Sequence, residues 1–139
     1  MSYQKVVLVG NLGNDPSMRY LPNGKPVTNF NLATNRSYTK DDVKVTEVTW
    51  FRVSAWGRQA ETCNDYLHQG SKVLVEGRLN PDENGNPRIY QRQDGTHGAS
   101  YELTADWVVF MDSRVERQES AEDGFHSAVE HMDEDDIPF

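Results

Sequence analysis

The sequence predicts a small, mainly β domain with one short helix, followed by a charged tail. Apolar and polar residues alternate in five segments that are bounded by Gly, Asn, Asp and Pro, as in half-buried strands. A single helix-like segment falls between the third and fourth of these strands. Near residue 112 the periodicity ends and the chain becomes rich in Glu, Asp and Ser.

The order of these elements narrows the fold class. The predicted helix covers residues 58–70, because its apolar residues are three and four apart and Gly70 is a typical C-terminal signal. Three strands, a helix and two strands fit a five-stranded Greek-key barrel of the OB type. We therefore predict an OB-fold domain over residues 1–112 and a disordered acidic tail over residues 113–139. The predicted strands cover residues 4–12, 27–35, 45–56, 71–79 and 100–111.

The sequence argues against a secreted protein and against an integral membrane protein. The one cysteine, Cys63, cannot form an internal disulfide, and we expect it to be a small buried helix residue rather than a nucleophile. The chain shows no secretory signal pattern and no apolar run near the ~20 residues that span a bilayer. These features predict a cytoplasmic protein that has no membrane partner.

The distribution of charge decides whether nucleic acid is a plausible ligand. The net charge of −8 argues against a polyanion ligand, since proteins that bind nucleic acid usually present a basic face. However, nine of the 22 acidic residues and only one of the 14 basic residues lie within residues 115–139. The excess negative charge therefore belongs to the tail, and the body of the chain is balanced.

The stretch TWFRVSAWGR, residues 49–58, holds two of the three tryptophans. Successive strand residues point to opposite faces of the sheet, and the more apolar face is predicted to meet the core. That core face contains Thr49, Phe51, Val53 and Ala55. The outward face then contains Val48, Trp50, Arg52, Ser54 and Trp56. Two outward tryptophans have three alternative roles: they cover a loop, they pack in a subunit interface, or they bind a ligand.

The combination of aromatic rings and cations favours the third of these roles, the binding of a ligand. The same alternation recurs in two further segments, each with a tyrosine between two cations: Arg36, Tyr38 and Lys40, and Arg88, Tyr90 and Arg92. Aromatic rings stack on the bases of a single-stranded nucleic acid, and cations hold its phosphates. Since stacking accepts any base, this pattern predicts binding with little sequence preference.

Several motifs resemble the bacterial single-stranded DNA-binding protein family. They are VGNLGNDP (9–16), MRYLPNG (18–24), VTWFRVSAWGRQAE (48–61) and the ending DEDDIPF (133–139). The resemblance implies an OB barrel that assembles as a homotetramer, binds single-stranded DNA and works in the cytoplasm at the nucleoid. It implies no enzymatic activity and no cofactor.

The resemblance also assigns roles to individual residues. By these motifs, DNA stacks on Tyr38, Trp50, Trp56 and Tyr90, the last of which follows a long, acidic connection, NPDENGNPRI (80–89). Gln69 stands where a basic residue is common in the family. Phosphate contacts fall on Arg19, Arg52, Arg58 and Arg88, and the ring-and-cation pattern adds Arg36 and Arg92.

The end of the tail predicts a second function. Solubility alone does not explain why an acidic tail carries two apolar residues at its tip. Acids followed by an aromatic anchor suit a partner with an apolar pocket rimmed by Arg or Lys. In the family, this ending recruits helicases, exonucleases and other replication, recombination and repair proteins. The predicted docking tip consists of Asp133, Glu134, Asp135, Asp136, Ile137, Pro138 and Phe139.

Two further predictions and one alternative function complete the sequence analysis. Trp107 shares a predicted strand face with Leu103 and Ala105, which favours packing in the core or in a subunit interface. The acids of residues 133–136 do not form a preorganised metal site, so we expect no catalytic or metal-binding residues. An OB-fold protein that binds single-stranded RNA is the alternative function, because stacking does not exclude a 2′-hydroxyl.

Overall fold

The computed structural model describes residues 1–112, which form seven strands and one helix. No helix in this part of the chain is long and apolar enough to cross a membrane. The predicted tail, with its docking tip, lies outside the described residues. The elements are β1 (Val6–Leu12), β2 (Ser17–Tyr20), β3 (Pro26–Lys40), β4 (Val43–Trp56), α1 (Arg58–Tyr66), β5 (Lys72–Leu79), β6 (Arg88–Gln91) and β7 (His97–Phe110).

Five of the strands close into a barrel, as predicted. Their order is β1-β5-β7-β4-β3, and β3 pairs back to β1 through Asn11↔Ala33 and Leu12↔Leu32. β4 and β7 run parallel, and the other pairs in the barrel are antiparallel. The two short strands that the sequence did not predict lie outside this closed path: β2 extends the sheet beside β3, and β6 pairs with β7.

The core fills the barrel from one face of each strand. On β4 the predicted core face is confirmed, because Val53 and Ala55 are fully buried and Phe51 is half-buried and packs against the core. Thr49 is exposed, since it lies where β4 leaves the barrel. The buried cluster comprises Leu12, Phe30, Leu32, Val53, Ala55, Cys63, Leu67, Val73, Val75, Leu103 and Ala105.

The helix is shorter than predicted, and its end has a packing reason. α1 stops at Tyr66 because Leu67 adopts an extended backbone that carries its side chain into the core. Gly70, with a φ of 94°, serves instead in the turn where Ser71 N–H donates to the carbonyl of His68 at 2.9 Å. Cys63 is buried as predicted, and burial raises its pKa to about 12, which leaves the thiol unreactive.

β3 and β4 form a long two-stranded ribbon that extends past the barrel. Their pairing runs without a register shift from Val27↔Trp56 to Lys40↔Val43. The two-residue turn, Asp41 and Asp42, has positive φ at both positions, as a type I′ hairpin requires. Both strands are therefore longer than their predicted spans.

Candidate nucleic-acid interface

The tryptophans of β4 face outward, as the strand alternation predicts. Trp50 is 53% exposed and Trp56 is 40% exposed, whereas Val53 between them is fully buried. Arg52, on the same face as the two rings, is also exposed. The outer surface of β4 thus presents exposed aromatic side chains beside a cation. Exposed apolar surface of this kind is typical of a binding site.

Tyr90 comes to the same surface from a distant part of the chain. β7 pairs with β4 and with β6, where Tyr90 is opposite Gly98, so β7 holds β6 beside β4. The result is a groove of about 540 Å³, which we call the Trp50 groove. It is lined by Trp50, Arg52 and Tyr90, together with Asn31, Phe51, Ser100 and Glu102.

Both rings of this groove rest on glycines. A Cβ atom built on Gly13 would lie 2.6 Å from Cη2 of Trp50, and one built on Gly98 would lie 2.7 Å from Cζ of Tyr90. Any larger side chain would push the ring away, because these distances are shorter than van der Waals contact. Sequence reasoning missed these two residues, since a ring that packs on a glycine outside its own strand leaves no pattern within that strand.

Among the described residues, three of the predicted phosphate-binding cations, Arg19, Arg52 and Arg58, have neither a carboxylate nor an aromatic partner. Arg19 Nη1 donates to Oδ1 of Asn29 at 2.9 Å, a bond between neutral and charged groups that leaves its charge uncompensated. These three guanidinium groups therefore keep their positive charge available to a ligand anion.

The remaining cations are engaged by the protein. Nε of Arg88 lies 4.0 Å from Oε1 of Glu102, in an exposed pair. The Arg92 guanidinium lies 5.5 Å from the centroid of the Tyr90 ring and donates to the carbonyl of His97 at 2.8 Å. A phosphate must compete with these contacts, although an exposed pair of this kind contributes little free energy.

Tyr38 lies on the other face of the ribbon. Because the β3–β4 register is continuous, Tyr38 shares its face with Leu32 and not with the residues opposite Trp50. The Arg36 guanidinium covers its ring at 4.8 Å, and its hydroxyl donates to Oε2 of Glu47 at 3.2 Å. The structure therefore does not bring Tyr38 into the Trp50 groove, and its stacking role stays a prediction.

Trp56 lines a second groove, of about 860 Å³, which we call the Trp56 groove. Its wall includes Trp107, which is 62% exposed, so Trp107 does not pack in the core of the chain, and its packing in a subunit interface stays a prediction. The cause is a β-bulge opposite Glu76 and Gly77, where β7 carries Asp106 as an extra residue. The bulge reverses the alternation, so Ala105 points inward and Trp107 points outward.

Comparison with known proteins identifies the family. Residues 3–111 match the model of the Single-strand binding protein family. The chain belongs to this family. It is 36% identical over 119 residues to a single-stranded DNA-binding protein of Helicobacter hepaticus, a match that covers 85% of this chain and 66% of that relative. A single-stranded DNA-binding protein of Neisseria meningitidis is 34% identical over 128 residues, covering 90% of this chain and 70% of the relative.

Solved structures of two proteins named as single-stranded DNA-binding proteins have the same fold as this chain. The small single-stranded DNA-binding protein from Streptomyces coelicolor superposes with a TM-score of 0.66 at 27% identity, covering 79% of this chain and 95% of that one. A Plasmodium falciparum SSB in complex with single-stranded DNA gives a TM-score of 0.65 at 23% identity, covering 81% and 97%, and supports the fold.

The glycines beneath the rings yield a test of the site. Gly13→Ala and Gly98→Ala are expected to weaken binding to oligo(dT) by up to ~1–3 kcal/mol each, because the displaced ring loses its stacking geometry. The fold is expected to tolerate both changes, since each methyl meets a side chain that can move. Fluorescence anisotropy of labelled oligo(dT) and urea unfolding measure the two effects.

Gly10→Ala is the contrasting variant, because its methyl would meet the backbone carbonyl of Ala33. It is expected to lower the free energy of unfolding rather than act on affinity alone. If a folded double variant, Gly13→Ala and Gly98→Ala, binds oligo(dT) with full affinity, the two glycines are not needed to position the rings.

Proposed function

We propose that this member of the single-strand binding protein family binds single-stranded DNA with little preference for base sequence and protects it. The Trp50 groove is the observation that carries the proposal. It joins two exposed rings to Arg52, a cation without a carboxylate partner among the described residues. Glu102 also lines the groove, opposite Arg52 in the β4–β7 pairing, but its ion pair is with Arg88. Rings beside a cation that forms no ion pair match the two surfaces of a nucleotide, its base and its phosphate.

The proposed mechanism follows from the shape of the groove. Bases stack on Trp50 and Tyr90 while the phosphate between them pairs with Arg52. In a duplex each base face is already covered by its neighbours, so its bases cannot reach these rings. Stacking contributes ~1–3 kcal/mol per base whichever base is present, which gives affinity without sequence readout. Single-stranded RNA offers the same base faces and is the second ligand to be tested.

Removal of the two β4 rings tests this mechanism. Trp50→Ala and Trp56→Ala are each expected to weaken binding to oligo(dT) by ~1–3 kcal/mol, while Trp50→Phe retains most of the affinity because phenylalanine still stacks. Competition by poly(dT), poly(U) and duplex DNA of equal length measures the choice of ligand. Duplex DNA that competes as well as poly(dT) would contradict the stacking mechanism, and stronger competition by poly(U) would favour the RNA alternative.

We also propose that the protein assembles as a homotetramer. Its outer β1–β5–β7 surface supports self-association, because Val9 pairs with Leu74 and Leu74 pairs with Val109 in one apolar row. Val7, next in the same face of β1, is 50% exposed. Among the described residues, Val6 to Val9 pair only with β5, so the other edge of β1 is open to a second copy.

A charge placed in this apolar row tests the assembly. Leu74→Glu is expected to dissociate the tetramer, since a subunit interface would bury the carboxylate without a partner. Sedimentation equilibrium measures the mass of the assembly. Val43→Glu, at the exposed tip of the ribbon, is the matched control and is expected to leave the mass unchanged. A wild-type chain that sediments as a monomer would contradict the proposal.

A further proposal concerns residues 133–139, which lie outside the described residues. We propose that this tip recruits replication, recombination and repair proteins to the bound DNA. The support is its composition: four acids precede Ile137, Pro138 and Phe139. An apolar pocket with a basic rim recognises this combination of charge and apolar anchor.

Phe139→Ala is expected to abolish capture of such proteins from an extract of the source cell, because the aromatic anchor is lost. Affinity for oligo(dT) is expected to stay unchanged. Met132→Ala, just before the tip, is the matched control. Retention of every captured protein by Phe139→Ala would contradict a docking role for the tip.

A further inference from the structure

The Trp56 groove has the features of a preformed site. Its volume of about 860 Å³ lies in the range of small-ligand pockets. Gln59 of α1 fixes its floor: Nε2 donates to the carbonyl of Ala105 at 3.4 Å, and Oε1 accepts from the Val108 N–H at 2.9 Å. These two bonds tie the helix to β7 on both sides of the bulge at Asp106, so the groove keeps its shape without a ligand.

The walls of this groove combine rings with a free cation. Trp56 and Trp107 both line it, and Arg58 does so without an ion pair among the described residues. The only carboxylate in the lining belongs to Asp106, which is paired with Nη1 of Arg78 at 2.8 Å. The groove thus carries net positive charge and attracts an anion that also brings an apolar face.

The groove continues the surface already described. Trp56 shares the outward face of β4 with Trp50 and Arg52, so a strand that stacks on Trp50 and passes along β4 arrives at Trp56. Two further exposed rings line the groove, Trp107 and Phe110, and Trp107 is the more exposed of the two. The bulge at Asp106 is what turns this ring outward, toward the groove.

A second copy of the chain fits the groove less well. Trp107 lies on the same outward face of β7 as Val109, which belongs to the proposed subunit interface. An interface that extended from there over the groove would also bury the Arg58 guanidinium, which is costly unless the second copy supplies a carboxylate. A nucleotide supplies both missing partners, because its phosphate pairs with Arg58 and its base covers an indole.

Resting on the proposed function, in which Trp56 stacks on a base and Arg58 contacts a phosphate, we propose that Trp107 is a further stacking residue, which holds an additional base of the strand in the Trp56 groove. The site extends the path of single-stranded DNA from β4 across α1 to β7. Its occupant is a nucleotide of the same strand that fills the Trp50 groove.

The intrinsic fluorescence of the chain gives a direct test. A full-length Trp50→Phe, Trp56→Phe variant leaves Trp107 as the sole tryptophan of the three. Addition of oligo(dT) is expected to quench its emission in parallel with binding, which anisotropy of a labelled oligo(dT) follows separately. Unchanged emission at saturation would overturn the stacking role of Trp107. Failure of the wild-type chain to bind at all would instead overturn the proposed function.

Measurements of DNA affinity and of the mass of the assembly together distinguish a stacking role of Trp107 from a role in a subunit interface. Trp107→Ala is expected to weaken binding to oligo(dT) by about five- to a hundredfold, with most of the loss restored in Trp107→Phe. Its sedimentation is expected to match the wild type. Tyr20→Ala, an exposed ring outside both grooves, is the matched control and is expected to keep full affinity. A lower mass for Trp107→Ala would overturn the proposal in favour of a subunit interface.

Discussion

The unbroken register between β3 and β4 is the constraint on which the site depends. It places Phe30 opposite Val53 in the core and Ala33 opposite Trp50 on the outside. A slip of one residue would exchange the two faces, exposing Val53 and forcing Trp50 inward. Burial of the core side chains therefore holds the tryptophans at the surface, and the stability of the barrel and the availability of the stacking rings have the same origin.

The other strands and turns convert this outward face into grooves. β7 contributes twice: it carries β6, which brings Tyr90 beside Trp50, and its bulge turns Trp107 toward Trp56. Gly13 and Gly98 leave room for two of the rings. Trp50 and Tyr90 are thus positioned by residues outside their own strands, and Trp107 by the bulge beside it, so the surface is assembled from residues that are dispersed in the sequence.

The closed barrel and the outward tryptophans were predictable from the sequence, because alternation within one strand is a local property. The grooves were not, since they depend on β6 lying beside β4 and on glycines that touch rings only in the folded state. The face of Tyr38 was also not predictable. This residue has the same parity as Phe30 and Leu32, but the predicted strand ended at residue 35, so its face was not assigned. The bulge at Asp106 inserts a single residue into an otherwise regular strand, and alternation alone placed Trp107 on the wrong face.

Photo-cross-linking of the wild-type chain to oligo(dT) that contains 5-iodouracil most directly tests the outward face of β4 as the DNA-binding surface. Mass spectrometry of the cross-linked peptides identifies the residues that contact bases. We expect cross-links at Trp50 and Trp56, because their exposed rings lie on that face. Cross-links confined to the outer surface of β1 and β5, with none on β4, would contradict it.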